Sequence, residues 1–356
     1  HDDFCNRKKE LEDLIRHAHN GYNVVLMSPR RIGKSSLVKR MLGTLSGEGY
    51  LTAFADFFLV VSEHDFVSRF ARALFSGIGQ GIDPRSFLKK MKELFGKFVV
   101  GVEAGDNKKI SVSVKFDPSV KTEILLDDLI EGAVAYLKKT GRRATVVLDE
   151  IQEISSIPNY KRIEGGLRAQ MQLQREISFF FVGSRRRILN DMFSSRSRPF
   201  YKSAFMYVLD IIPREEFIPF IMERFQMSGK SCGLEVAGEI YDMVRGYTYY
   251  VQKLASIVWD LTERECTSSL VKRAYDNLLS SEETDFSGVW SGLSLSQKAL
   301  LRALAEEPTS TPYGREFLQR HFISVGGTQA AIKVLLQKDL VEQEKVDEKM
   351  YRVTDP

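Results

Sequence analysis

Four short apolar runs, at 24–27, 51–61, 144–148 and 177–182, limit what this chain can fold into more than any other feature. Runs apolar at nearly every position suit strands covered on both faces, and such strands pair in parallel with helices packed on either side. Helical periodicity fills the gaps between them. Leu11, Leu14, Ile15 and Ala18 recur on one face of 7–20, and further helices are predicted over 37–45, 64–79, 122–139 and 161–176. The segment 98–116 breaks this scheme. Ile110, Val112, Val114 and Phe116 alternate with polar residues and Gly105-Asp106-Asn107 supplies turn chemistry, which predicts an inserted hairpin. Residues 1–209 are therefore predicted to form an α/β domain around a parallel sheet.

Beyond Pro213 the pattern turns all-helical to about residue 285, so 210–286 reads as a helical domain. Ser287-Gly288 and Ser291-Gly292 read as a linker. Helical patterns at 294–306, 313–321 and 326–338 precede a small hairpin pattern at 341–353, and together they predict a winged helix-turn-helix over 287–356. Three domains suit a chain of 356 residues.

Between the first apolar run and the helix at 37–45 lies Ser28-Pro29-Arg30-Arg31-Ile32-Gly33-Lys34-Ser35-Ser36. Gly33-Lys34-Ser35 is the end of the phosphate-loop pattern G-x-x-x-x-G-K-[ST], with Ser28 at its first glycine. A tripeptide of this kind is a weak signal alone, and a basic surface turn is the plainer alternative. Its place between a buried strand and a helix is what the chemistry requires, because backbone N–H groups there point at a bound phosphate. Gly33 would allow close backbone approach, Lys34 would reach the β- and γ-phosphates, and the Ser35 hydroxyl would sit on Mg²⁺.

The third run ends in Asp149-Glu150. Paired acids at the end of a buried strand are costly without a nearby cation. Asp149 is the candidate to hold Mg²⁺, and Glu150 the candidate to orient and polarise an attacking water. Glu153 reads as part of a solvated face. The fourth run ends in Gly183-Ser184-Arg185, which makes Ser184 a sensor candidate and Arg185 a charge-stabilising one. Arg186 and Arg187 read equally well as a solvated cationic turn. Arg196 and Arg198 are weaker candidates for an arginine donated to a neighbouring subunit's site.

Composition removes several classes. A net charge of +4 does not describe a protein built mainly to coat nucleic acid. Cys5, Cys232 and Cys266 are far apart and odd in number, so neither a disulfide framework nor a zinc spacing follows, and a cytoplasmic location is expected. No apolar run reaches membrane-spanning length and no signal segment opens the chain, which begins at His1 rather than an initiator methionine.

Several motifs in order resemble the archaeal-type ATPases, which belong to the STAND/AAA+ region of the P-loop superfamily. Phe4-Cys5-Asn6-Arg7-Lys8-Lys9-Glu10-Leu11 resembles that family's F-x-[GN]-R-x-x-E-L box, and Ser28 to Ser36 its G-P-R-R-x-G-K-[ST]-S loop. Leu148-Asp149-Glu150 resembles its Walker B strand, Gly183-Ser184 its sensor, and Pro199-Phe200-Tyr201-Lys202-Ser203 its P-L-Y-G-R segment. Gly246-Tyr247-Thr248-Tyr249-Tyr250-Val251-Gln252 resembles its G-x-P-Y-Y-x-Q lid motif, with Thr248 at the proline.

The resemblance implies a P-loop core, a helical lid at 210–286 and a C-terminal winged helix. It implies ATP or ADP with Mg²⁺, held by Phe4, Arg7, Ser28, Pro29, Arg30, Arg31, Ile32, Gly33, Lys34, Ser35 and Ser36, and from the lid by Gly246 and Thr248. Lys34, Glu150, Ser184 and Arg185 would carry hydrolysis, with Ser35 and Asp149 on the metal. The expected role is a slow ATPase switch, working through a protein partner or self-association. The alternatives are a DNA-binding AAA+ ATPase resembling origin-recognition initiators, and a nucleotide-binding module without turnover. Acidic and basic residues balance across 294–356, and the segment 326–338 carries only Lys333 and Lys338, which favours protein contact over DNA. The family often continues beyond a stretch like Tyr351 to Pro356, so further sequence is an expectation too.

Overall fold

The computed structural model describes residues 5–80, 82–104, 110–345 and 349–356. They divide into two compact units, His1–Asp210 and Ile211–Pro356.

The first unit is built on a five-stranded sheet. Its strands are β1 (Val24–Met27), β2 (Leu51–Asp56), β5 (Ala144–Asp149), β6 (Ile177–Gly183) and β7 (Phe205–Val208), in the order β2-β5-β6-β1-β7. Every pairing is parallel. Helices α1 (Lys8–His19), α2 (Lys34–Gly47), α3 (Glu63–Gly79), α4 (Pro84–Leu94), α5 (Thr122–Thr140), α6 (Tyr160–Leu173) and α7 (Arg186–Ser194) connect and cover it. β1, β5 and β6 are buried at every position, which is why their sequences show no alternation. Phe66 and Phe70 of α3, Leu125 and Leu129 of α5, and Phe179 and Phe181 of β6 belong to the main core. The antiparallel pair β3 (Phe98–Ala104) and β4 (Ile110–Phe116) forms the expected hairpin; its Gly105-Asp106-Asn107 turn lies outside the described residues.

Three boundaries differ from the sequence reading. α2 begins at Lys34 rather than at 37, because Gly33, with φ 88°, is its N-cap. β2 ends at Asp56 rather than at 61. There the Asp56 carboxylate accepts the Phe58 N–H at 2.8 Å, and Arg69 donates to the Asp56 and Phe58 carbonyls at 3.1 and 2.9 Å, so the chain turns instead of extending. The third concerns the linker read at Ser287-Gly288 and Ser291-Gly292: helix α11 (Ser268–Ser291) runs through the first pair without a break.

The second unit carries α8 (Arg214–Met227), α9 (Leu234–Met243), α10 (Thr248–Leu261) and α11. Then follow α12 (Leu295–Glu306), α13 (Arg315–Arg320), α14 (Thr328–Gln337) and the antiparallel hairpin β8 (Val341–Lys345) and β9 (Lys349–Val353). Leu300, Leu304, Phe317, Ile332, Leu335 and Val341 share one small core. Among the described residues no helix is long and apolar enough to cross a membrane.

Candidate nucleotide site

The order of the sheet decides where chemistry gathers. β6 lies between β1 and β5, so the loops leaving β1, β5 and β6 meet at one carboxyl edge, where α/β sheets bind ligands. The loop after β1 delivers Gly33 and Lys34, that after β5 Glu150, and that after β6 Ser184.

Gly33 adopts the left-handed backbone that glycine enters without strain, and as the N-cap of α2 it makes no side-chain cap to the first turn. Ser28 and Pro29 are buried, the Ser28 hydroxyl donates to the Pro29 carbonyl at 2.9 Å, and Ile32 is buried beside them. Arg30, Ser35 and Ser36 are exposed, and Arg31 is half-buried with φ 66°. Lys34 is 7% exposed, and its ammonium donates to Glu150 Oε1 at 3.3 Å.

Glu150 stands in the left-handed region itself, with φ 49°, which turns its side chain back over the strand end. Its other carboxylate oxygen accepts from the Ser184 hydroxyl at 3.4 Å and from the Gln152 carboxamide. Burial works against ionisation of Glu150. The opposing pull of Lys34, the hydrogen bonds from Gln152 and Lys34 and the charge of Arg30 outweigh it, and hold the carboxyl below its ordinary range. Asp149 goes the other way. It is 6% exposed, and burial pushes its carboxyl up; Lys34 opposes this, while Glu150 and Asp56 add to it. Asp56 is the register partner of Asp149 across β2 and β5.

Two residues here escaped the sequence reading. Gln152 is buried beside Glu150, and a Cβ at Gly183 would overlap its carboxamide, so Gly183 leaves room for the residue that orients Glu150. Asp56 adds a third acid to the strand ends. The signal for both was present: a polar residue two positions after the paired acids, and an acid interrupting the second apolar run.

Other sequence candidates fall elsewhere. The Arg7 guanidinium is 5% exposed and braces backbone, donating to the Ile32 carbonyl at 3.3 Å, to the Asp210 carbonyl and to Glu10. Arg185 pairs with Glu153 at 3.3 Å. Glu153 is therefore an ion-pair partner rather than part of a merely solvated face. Arg198, a weaker candidate from the start, has partners within its own unit. It is ion-paired with fully buried Glu164 and with Asp191, bonded to Ser155 Oγ and stacked over Tyr160, so it is not available to a neighbouring subunit. Arg196 is exposed. Phe4 lies outside the described residues. In the second unit, Gly246 turns the chain ahead of α10 against Tyr241, and Thr248 is buried as the first residue of α10.

Among the described residues no group of three or more His, Cys, Asp or Glu side chains is gathered to hold a metal ion unaided. That suits Mg²⁺, which binds through one or two protein oxygens and completes its shell with phosphates and water. A buried carboxylate at Asp149 and an exposed hydroxyl at Ser35 fit that requirement.

Comparison with known proteins supports this architecture. Residues 284–356 match the family described as a probable winged helix domain. No curated protein matches the sequence. Among solved structures, a Walker-type ATPase of Pyrococcus abyssi is similar at a TM-score of 0.66 and 15% identity, covering 99% of this chain and 94% of that one. The Aeropyrum pernix ORC2 protein, in ADPNP–ADP complexes, is similar at 0.59 and 16%, covering 98% and 90%. The Aeropyrum pernix ORC1 protein in complex with DNA is similar at 0.50 and 14%, covering 100% and 91%. The chain thus has the fold of P-loop ATPases with a C-terminal winged helix, in agreement with the archaeal-type ATPase resemblance carried by its motifs.

Proposed function

We propose that this chain binds ATP with Mg²⁺ at the carboxyl edge of its sheet, hydrolyses it slowly, and uses the cycle as a regulatory switch whose winged helix contacts protein. The observation that carries the reading is the meeting of Lys34, Glu150 and Ser184, from three separate loops, beside an uncapped helix N-terminus.

The residue roles follow from this geometry. The N–H groups of 33–36 and the Lys34 ammonium hold the β- and γ-phosphates. Ser35 and Asp149 would hold Mg²⁺, which would offset the charge of the phosphates. Glu150, ionised and fixed by Gln152 and Ser184, accepts a proton from the attacking water. Ser184 is also placed to sense the γ-phosphate. Arg7 braces the loop carbonyl at Ile32 rather than meeting the nucleotide directly. The adenine side, including Phe4, Gly246 and Thr248, rests on the motif resemblance.

Protein contact is favoured by the winged helix surface. Arg320 pairs with Glu307, His321 approaches Glu306 and Glu307, and Arg352 pairs with Glu342, so three of its bases are offset locally. Leu295, Phe322 and Val325 are exposed at 86%, 96% and 72%, an apolar set suited to a protein surface. DNA binding is the second reading, favoured by the winged helix itself and by the likeness to ORC1 solved with DNA.

ATP turnover with and without duplex DNA, at two salt concentrations, tests the choice. Turnover indifferent to DNA supports the protein-contact switch. Turnover raised by DNA, with the rise lost as salt increases, would overturn it in favour of the DNA-binding reading.

A further inference from the structure

The three cysteines are reduced, and two of them, distant in sequence, meet inside the helical part of the second unit. Ser231, between α8 and α9, forms a parallel bridge with Glu265, between α10 and α11. The bridge rests on two hydrogen bonds: Ser231 N–H to the Arg264 carbonyl at 2.8 Å and Cys266 N–H to the Ser231 carbonyl at 2.9 Å. One step along it, Cys232 and Cys266 stand opposite each other. Paired strands place such Cα atoms about 5 Å apart, inside the span a disulfide bridges without backbone movement. Both thiols are buried, and each perturbs the ionisation of the other.

We propose that Cys232 and Cys266 form a thiol–disulfide exchange site, which a small-molecule disulfide such as oxidised glutathione converts to an intramolecular bond joining the α8–α9 and α10–α11 connections.

The chemistry balances with that co-reactant alone. The Cys266 thiolate attacks one sulfur of the small disulfide, forming a mixed disulfide and expelling one thiolate. Cys232, losing its proton to solvent, attacks the Cys266 sulfur and expels the second. The protein dithiol is oxidised by two electrons, and one small disulfide is reduced to two thiols. The roles follow from the contact. The neighbouring Cys232 thiol and Thr262 hydroxyl hold the Cys266 thiol below its ordinary value despite burial. The neighbouring Cys266, reinforced by burial, pushes Cys232 up. Cys266 is the attacking sulfur and Cys232 the resolving one. The closed loop spans α9 and α10, so the bond removes freedom from the unfolded chain and stiffens this unit.

The test treats the full chain with oxidised glutathione, quenches by alkylation under denaturing conditions, and maps tryptic peptides. The expected result is a covalent link between peptides 231–245 and 265–272, a mass loss of two hydrogens with no glutathione retained, and reversal by reductant. The oxidised form is expected to unfold at a temperature several degrees higher. In Cys232→Ser the glutathione adduct should persist on Cys266, since nothing resolves it. Full alkylation of both cysteines in the treated wild type, or a stable glutathione adduct there on either of them, would overturn the proposal.

Discussion

At the strand ends of the first unit, buried Lys34 and Asp149 and half-buried Glu150 lie close together, with acids outnumbering the base. On the winged helix, Arg320, His321 and Arg352 lie against glutamates, and Leu295, Phe322 and Val325 are exposed apolar side chains. The first arrangement keeps a strong local field because little water screens it. Asp149 in particular is held where its charge is disfavoured, a state that a divalent cation relieves. The second arrangement offsets part of its charge locally and adds apolar contact area, which is what the proposed protein contact would use.

The largest expected effect falls on Lys34. Lys34→Ala removes the one ammonium beside Glu150 and the loop, and should weaken ATP binding by about 100-fold or more, measured by calorimetry. Unchanged affinity would remove the contrast between the two regions.

Arg198 sharpens it from the structural side. Its pair with Glu164 is also buried, yet it is fully satisfied within the unit, so its role is in folding rather than ligand binding. Arg198→Ala leaves a buried carboxylate unpartnered and should cost about 3–5 kcal/mol in chemical unfolding. A loss of nucleotide affinity without a loss of stability would contradict that assignment.

Gln152 comes next. Gln152→Ala leaves one oxygen of Glu150 held by Ser184 alone, and should lower turnover by about 10-fold while leaving ATP affinity nearly unchanged. An equal fall in affinity would mean that Gln152 supports the loop rather than Glu150.

The smallest effects separate the two adjacent acids. Asp149 has a raised folded-state pKa, so its ionised form destabilises the fold, and the cost is complete above that pKa. Asp149→Asn should therefore melt above wild type at neutral pH, with the gain shrinking as pH falls through the carboxyl's folded-state pKa. Glu150 has a depressed folded-state pKa and contributes stability above its ordinary value, which is lost as pH falls through the folded one. Glu150→Gln should melt below wild type at neutral pH, with the difference closing in acid. Thermal unfolding of both variants across that range checks the two signs together.

The sequence was legible where burial on both faces or a sharp turn left a compositional mark. β1, β5 and β6 show as unbroken apolar runs, and the winged helix shows as three helical patterns and a hairpin. β7 was missed because it is a four-residue edge strand, largely exposed, whose place is set by pairing with β1. α4 had a readable start, since Asp83 caps Ser86 and Pro84 holds the first turn, but it fell between stronger signals. The Ser-Gly pairs near 288 misled because a long helix with a packed face tolerates glycine inside it. At the candidate site, residue type and place in the pattern singled out Lys34, Asp149 and Glu150, and the fold brings them together. Whether an arginine is bound internally, as Arg198 is, depends on Glu164 and Tyr160, which only the fold brings to it.

The central claim is tested most directly by ATP binding and steady-state ATP hydrolysis in wild type and Glu150→Gln, measured side by side with Mg²⁺. The account predicts slow turnover in wild type, and in Glu150→Gln retained binding with turnover lower by about 100-fold or more. Equal turnover in the two proteins, or no ATP binding by wild type, would contradict it.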